Sequence, residues 1–464
     1  KETSPIKNRI FLIEQKLKIE QAINSSLEEA TRMKESVNNY VEQQQNKITA
    51  DINNYVETVK ESGRKVADSW SYLPSDDNGA RLENPDVVLS VPATILRHGY
   101  TCETHTVISQ GYLLNIHRIP RSKKGGDVSS KTVILHHGLF ASSADWILNG
   151  PEKALAYVLA DAGYDVWMPN IRGNKYSRED HAWLKTDSKS YWNFSWHDVA
   201  LYDVPAIIDY IRKIKGNDTK ITYIGHSMGT TILFAMLILR PEYNKILTAG
   251  FALAPIVFMD DMKSSLKSFV PLASNVAYME MLYGSHEFIP KNSLLGKISS
   301  SCSADGFDAA YSKNIVFSIC GCDEKQFNKE LLRFTLRFTL VFLSHLGTGT
   351  SWKTIVHFAQ LVTSERFQQF DYGASHNKVM YGREVPPEYD LSKVSLPITL
   401  FWAKNDLLSS ETAVNKLKEN LPATTESYLV PYDEFNHLDY LWAIDAPTLL
   451  NDKILEKLDE ASAR

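Results

Sequence analysis

The chain has no uninterrupted apolar run long enough to cross a bilayer. Its longest runs, such as Ile232 to Leu239, fall far short of the ~18 residues that a membrane span needs. Basic charge is not in excess either: 50 Lys and Arg against 55 Asp and Glu leave a net charge of −5, which argues against a nucleic-acid partner. Cysteine is scarce, at four residues. Cys102 reads as a free, buried thiol, whereas Cys302 has either Cys320 or Cys322 as a candidate partner, and both remain open. Neither an initiator Met nor an apolar signal region opens the chain at Lys1, as expected of a processed mature protein or a trimmed chain. No Gly precedes Gly63, and no Pro lies between Pro5 and Pro74, so nothing in that stretch interrupts a helix. What remains is 464 residues, enough for one large α/β core with appendages.

The most informative segment is Gly225-His226-Ser227-Met228-Gly229. Ile221 to Ile224 before it is β-branched and aromatic, and reads as a buried strand. Thr230 to Arg240 after it is almost continuously apolar and stops at Pro241, as a buried helix would. A G-x-S-x-G between strand and helix is a nucleophile elbow, in which the Ser takes a strained turn and the glycines let strand and helix approach. Outside that setting the pattern is a common Gly-Ser turn.

A serine hydroxyl needs an imidazole to take its proton and a carboxylate to hold that imidazole. In this fold the chain order is Ser, acid, His. Ile398 to Ala403 reads as a strand and is followed by Lys404-Asn405-Asp406; Ser427 to Tyr432 reads as another, followed by Asp433-Glu434-Phe435-Asn436-His437. Asp406 and His437 are therefore expected on loops at the same sheet edge as Ser227. Taken singly, each has a bland reading, as a turn aspartate and as one of 13 histidines. Order and placement select them together as catalytic. Asp371 and Asp390 are competing acids, but neither follows a strand-like run.

Thr132 to Leu135 reads as a further strand, and His136-His137-Gly138-Leu139-Phe140 follows it. The backbone N–H groups of Leu139 and Met228 are the expected oxyanion donors. The paired histidines raise a metal reading. Neighbours on an extended segment point to opposite sides, and no Cys or carboxylate lies at ligand spacing, so no metal and no cofactor is expected.

Further segments resemble the acid lipase family, the animal gastric, lysosomal and insect neutral-lipid hydrolases. They are Ala160 to Trp167, Asn170-Ile171-Arg172-Gly173-Asn174, Phe194-Ser195-Trp196, Tyr202 to Ala206, Asn436-His437-Leu438-Asp439 and Trp442 to Pro447. The likeness runs from about Pro85 to about Leu458. It implies an α/β-hydrolase core with a mainly parallel sheet and an inserted, mostly helical cap. It also places the family's nucleophile, acid and base on Ser227, Asp406 and His437, and its oxyanion loop on His137-Gly138-Leu139. The chain departs from the family in three places. Met228 stands for the usual Gln, which makes the mouth of the site less polar; His197-Asp198 replaces Asp-Glu; and Lys404-Asn405 replaces a Gly-containing turn. The family's cap disulfide would pair Cys302 with the position held by Tyr311, so it cannot form here.

The resulting organisation has five parts. Residues 1–73 carry apolar side chains at helical spacing (Ile6, Ile10, Ile13, Leu17, later Ile48, Ile52, Tyr55, Val59) and are expected to form an amphipathic helical extension, with two helices packed as a hairpin as one arrangement. Its acidic and basic residues balance, which weakens attraction to anionic membranes. It is expected to pack on the body of the same chain or on another copy, with lipid-particle or partner binding as the alternative. Residues 74–86 form a linker, 87–254 the first part of the core, 255–387 the cap, and 388–464 the second part of the core. Within the cap, Met259, Met262, Phe269, Val276, Met279, Met281, Leu282 and the run Leu331 to Leu343 suit a long-acyl substrate. Sequons stand at Asn24, Asn193 and Asn217; Asn217, in a polar turn, is the credible glycan site, and Asn193 is expected to be buried.

Two functions compete. The first is hydrolysis of neutral lipid esters (triacylglycerol or sterol esters) through an acyl-serine, at a lipid–water interface, by a protein that is secreted or resides in the lumen of a lysosome-like or storage granule. The second is a lipase fold kept for yolk-like storage or lipid carriage. The complete set of Ser227, Asp406 and His437 favours the first.

Overall fold

The computed structural model describes residues 89–463 apart from residues 126, 128–130, 179–183, 274–286, 289–317, 324 and 327–349. The chain divides into two compact units, Lys1–Pro85 and Asp86–Arg464. The expected N-terminal helices and linker, with Asn24, lie outside the described residues, as do Cys302, Val276, Met279, Met281, Leu282 and Leu331 to Leu343.

Eight strands make one sheet: β1 (Glu103–Ser109), β2 (Tyr112–Ile119), β3 (Thr132–His136), β4 (Asp165–Pro169), β5 (Ile221–His226), β6 (Leu247–Leu253), β7 (Ile398–Trp402) and β8 (Glu426–Leu429). Their spatial order is β1-β2-β4-β3-β5-β6-β7-β8. β1 and β2 form a hairpin across Gln110 and Gly111, both at positive φ as a tight two-residue turn requires. β2 runs antiparallel to β4, and every neighbour from β4 to β8 is parallel.

Strands β3 to β7 are buried on both faces, which is why they read as apolar runs without alternation. Their side chains still alternate between two cores. Ile134, Tyr223 and Leu400 join one apolar cluster with helices α3 (Val204–Lys215), α4 (Met228–Leu239) and α7 (Glu411–Glu419). Val133, Leu135, Ile224 and Phe401 join the other, with α1 (Val91–Arg97), α2 (Leu155–Asp161) and α8 (Asp452–Ala463). At about 25 cal/mol per Å² of apolar surface, these two layers dominate the stability of the unit.

The chain leaves the sheet after Leu253 and returns at Ile398. In between, Glu287–Phe288 pairs antiparallel with Thr350–Ser351, and α5 (Trp352–Ser364) and α6 (Ala374–Tyr381) follow. Phe358, Leu361, Val362 and Phe367 pack into the α4 cluster, as do Met259 and Met262. Trp352, Val356 and Phe370 form a separate apolar group that takes in Phe140.

Three local expectations change. β8 ends at Leu429, because the chain turns there and Tyr432 N–H donates back to the Val430 carbonyl at 2.8 Å. Asn193 is exposed: Trp192 and Phe194 turn inward on either side, leaving the asparagine outward, where it accepts from Lys353 Nζ at 3.2 Å. Asn217 is exposed in the turn after α3. Cys320 is buried and unpaired, and Cys102 is a half-buried free thiol whose burial pushes its pKa up to about 12.

Candidate active site

Ser227 sits between β5 and α4 with φ 53° and ψ −119°. A side-chain-bearing residue held there costs about 1–3 kcal/mol, so the surroundings must over-determine it. Ser227 N–H donates to the Leu253 carbonyl at 3.0 Å, and its own carbonyl accepts from Thr230 N–H at 2.8 Å and Thr230 Oγ1 at 2.6 Å. Gly229 permits the helix to lie against β3, since a Cβ there would stand 2.5 Å from the His136 carbonyl oxygen.

The loops after β7 and β8 bring Asp406 and His437 to this turn. His437 Nε2 lies 2.8 Å from Ser227 Oγ, and His437 Nδ1 lies 2.8 and 3.0 Å from the two Asp406 carboxylate oxygens. Both side chains are shielded from solvent, at 4% and 0% exposure. Asp406 Oδ1 also accepts from the N–H groups of Leu408 and Ser409, each at 2.9 Å. With Nδ1–H given to the carboxylate, Nε2 is left as the acceptor for the serine proton, the arrangement that proton abstraction requires.

The loop after β3 abuts the elbow: a Cβ at Gly138 would stand 3.1 Å from Ser227 Cβ. Met228 opens α4, so its N–H is one of the donors that no preceding turn of helix can satisfy. The Met228 side chain does not face the mouth of the site; it is 1% exposed and packed in the α4 cluster, so the exchange for Gln leaves the mouth unchanged. His136 and His137 do not point apart. Each Nδ1 donates to the carbonyl of the next residue, at 3.2 and 2.8 Å, and this turning backbone brings the rings to one side, stacked at 5.5 Å. His137 Nε2 accepts from Ile171 N–H and Asn174 Nδ2, both at 3.4 Å, so it ties the loop to the segment after β4. Burial holds His136 at a pKa of about 3 and His137 at about 4, both neutral. Among the described residues, no three His, Cys, Asp or Glu side chains converge as a metal site.

Residues 131–444 match the family described as alpha/beta hydrolase fold, and residues 91–150 match the partial alpha/beta-hydrolase lipase region. Lipase 3 of Drosophila melanogaster is 38% identical over 389 residues, which is 83% of this chain and 93% of that protein. Gastric triacylglycerol lipase of Rattus norvegicus is 36% identical over 389 residues, 81% of this chain and 93% of the relative. Lysosomal acid lipase/cholesteryl ester hydrolase of Macaca fascicularis is 33% identical over 392 residues, covering 83% and 95%. The chain belongs to the acid lipase family of α/β-hydrolases.

Two contributors to this family site escape a reading of the sequence. His226, the variable position of the elbow motif, donates from Nε2 to the His437 carbonyl at 2.8 Å; burial lowers its pKa to about 3, so it stays a neutral donor. The Cys320 carbonyl accepts from the N–H of His437 at 3.2 Å and of Leu407 at 3.5 Å, joining the base loop to the acid loop. Gly321 makes this approach feasible, since a Cβ there would lie 2.0 Å from the Asn405 carbonyl oxygen. The only signal was a glycine between two cysteines, in a stretch assigned elsewhere. Asn405 itself clasps the carbonyls of Cys322 and Glu434, at 2.9 and 2.7 Å, in place of a glycine turn. The competing acids serve local turns: Asp371 takes Gly373 N–H and Asn377 Nδ2, and Asp390 caps the turn Leu391–Lys393. His197 bonds to the Tyr389 hydroxyl at 2.5 Å, while Asp198 closes a capping box with Ser195.

Proposed function

We propose that this chain is a serine carboxylic ester hydrolase acting on neutral lipid esters, triacylglycerols or sterol esters, through an acyl-serine intermediate. The observation that supports it most is the hydrogen-bonded line Ser227–His437–Asp406, made from three loops at one sheet edge. In this reading Ser227 Oγ attacks the ester carbonyl while His437 Nε2 takes its proton, and Asp406 keeps Nδ1–H oriented and stabilises the imidazolium. The N–H groups of Leu139 and Met228 hold the oxyanion, a contribution of ~10²–10³ in turnover per donor. Collapse expels the alcohol, which receives the proton from His437. A water molecule, deprotonated by the same nitrogen, then releases the fatty acid and restores Ser227.

The substrate class follows the names of the relatives, one a triacylglycerol lipase and one a cholesteryl ester hydrolase. It also suits the apolar group of Trp352, Val356 and Phe370 that packs on Phe140, next to the proposed oxyanion donor. Residues 255–387 would then cap an acyl site between the two parts of the core, residues 87–254 and 388–464. A secreted or lumenal location, with glycans on Asn217 and on the exposed Asn193, fits this reading. Among the described residues no helix is long and apolar enough to cross a membrane. Residues 1–73 would form a packing extension or a self-association element. A storage or carrier role would leave the aligned hydroxyl, imidazole and carboxylate without a use.

The test has two parts. A fluorescent alkyl phosphonate should label the wild type and leave Ser227→Ala unlabelled. Hydrolysis of oleate glycerides should rise across the concentration at which an emulsion forms, each added CH₂ within the acyl site contributing ~0.8 kcal/mol to binding. Equal labelling of both proteins would remove the serine mechanism. Preference for butyrate with no rise at the emulsion threshold would leave a small-ester hydrolase.

A further inference from the structure

Most large apolar side chains that reach solvent among the described residues stand singly, and none of these scattered ones exceeds 45% exposure. Three do otherwise: Val379 at 81%, Met380 at 57% and Val385 at 57%, all within seven positions on α6 and the loop that follows it. Scattered exposed apolar residues need no explanation, but clustered ones do.

The way α6 is held makes the exposure systematic. Its sole buried side chain is polar: Asn377 donates to Asp371 Oδ1 at 2.7 Å and to the Glu384 carbonyl at 2.8 Å, and it accepts from Tyr372 N–H at 2.9 Å. Tyr381 is half-buried and donates to the Phe370 carbonyl at 2.8 Å. The helix is therefore inverted, clamped through hydrogen bonds on its inner side with its aliphatic side chains turned to solvent. An ordinary surface helix buries the opposite set.

We propose that α6 and the Gly382–Pro387 loop form the element that docks the protein onto a lipid surface, with Val379, Met380 and Val385 entering it. The inference rests on the neutral-lipid reading given above for the substrate. Three observations select a lipid surface as the occupant. A helix exposed on nearly every side presents a ridge, without the walls that would grip a peptide. Three aliphatic side chains offer well under the ~800 Å² per partner that a stable protein interface buries, whereas side chains entering a lipid phase partition without that minimum area. Basic groups flank the ridge: Lys378 pairs with Glu384 at 2.7 Å, and Arg383 donates to the Val385 and Pro386 carbonyls with no carboxylate partner among the described residues. That leaves a positive charge at headgroup depth beside the apolar tips, complementary to anionic phospholipid.

A relay of aromatic contacts runs from the ridge toward the oxyanion loop: Tyr381 reaches Tyr372 ring to ring at 6.0 Å, Tyr372 reaches Phe370 at 4.8 Å, and Phe370 belongs to the apolar group that takes in Phe140, the neighbour of Leu139.

The experiment uses the full chain and droplets of triolein coated with phosphatidylcholine, with or without phosphatidylserine. Flotation measures bound protein, and turnover of monomeric p-nitrophenyl butyrate reports that fold and site are intact. Val379→Ser, Met380→Ser and Val385→Ser should each weaken droplet binding roughly tenfold, equivalent to ~1.4 kcal/mol, and the triple variant at least a hundredfold, with butyrate turnover unchanged. Arg383→Gln should weaken binding only to droplets that contain phosphatidylserine. Should the triple variant misfold, Val379→Ser alone carries the test. Wild-type binding by a folded variant overturns the proposal, as does a wild-type dimer that these substitutions dissociate, which would make the ridge a contact between copies. Butyrate hydrolysis with droplet binding indifferent to the three side chains sinks this inference alone. Absence of ester hydrolysis with binding still dependent on them sinks the enzymatic reading and leaves the ridge.

Discussion

Two positions beyond His437, Asp439 gives the chain a pH dependence that can be isolated. The side chain is 3% exposed; burial raises its pKa from 3.8 to about 8, and the nearby carboxylates of Asp323 and Asp406 push the same way. Asp439 therefore keeps its proton at neutral pH while its unfolded counterpart has lost it. Between those two values the native state binds more protons, so stability falls as pH rises, by ~1.4 kcal/mol per unit until the native carboxyl itself titrates. The buried histidines act in another window. His117, His136, His137 and His226 have pKa values lowered to about 4, 3, 4 and 3, so they reduce stability as pH drops below 6.5 and contribute nothing above it. From about pH 6.5 to pH 8, Asp439 thus acts without them, and the loss over that interval comes to roughly 1–2 kcal/mol. Asp439→Asn keeps an oxygen to accept Asn436 N–H, which donates to Asp439 Oδ2 at 2.6 Å in the native chain, and it cannot ionise. Asp145, which burial raises to about 7, titrates in the same window in both proteins and cancels between them, so urea unfolding at the two pH values should show the wild type losing that amount more than the variant. Parallel losses would refute the assignment of the proton to Asp439.

Other substitutions test the remaining links. Asp406→Asn should lower turnover by about 10⁴ with little change in KM, because an amide presents a donor where His437 Nδ1–H needs an acceptor; stopped-flow with a short-chain ester measures it, and near-normal turnover would move the acid elsewhere. Gly229→Ala should shift or unfold the elbow, since its Cβ would meet the fixed carbonyl of His136 at 2.5 Å; loss of phosphonate labelling together with a lowered Tm is the expected pair of results. Arg172→Leu should destabilise the chain by about 3–5 kcal/mol, for it strands the buried Asp203 carboxylate that its guanidinium holds at 2.5 and 2.8 Å. The double variant Arg172→Leu/Asp203→Leu should recover part of that loss in denaturant unfolding.

The sheet and the three converging side chains were legible because each rests on a local pattern. β-branched runs buried on both faces announce β3, β5 and β7, and the fold's fixed chain order then restricts where an acid and a base can lie. The contacts that hold the site were not legible, because they are made by backbone carbonyls far apart in sequence. No side-chain pattern reveals that the Cys320 carbonyl takes N–H groups from both Leu407 and His437. His226 was passed over because the elbow motif leaves that position unspecified, and its use lies in a carbonyl 211 residues away. Met228 shows the converse: its exchange for Gln predicts a less polar mouth, yet its side chain, at the first position of α4, is buried in the core cluster.

What separates the acid from its neighbour is the supply of donors. Asp406 receives two amide N–H groups and the imidazole Nδ1–H, enough polarised hydrogens to replace the water it has lost. Asp439 receives the single N–H of Asn436 in equally dry surroundings, and the negative charges of Asp323 and Asp406 act against it. Asp439 is thereby held as the acid, and the Asp406 carboxyl on the neighbouring loop is one of the groups that hold it there. The acid loop and the base loop are therefore coupled through charge as well as through the Cys320 carbonyl that joins their backbones.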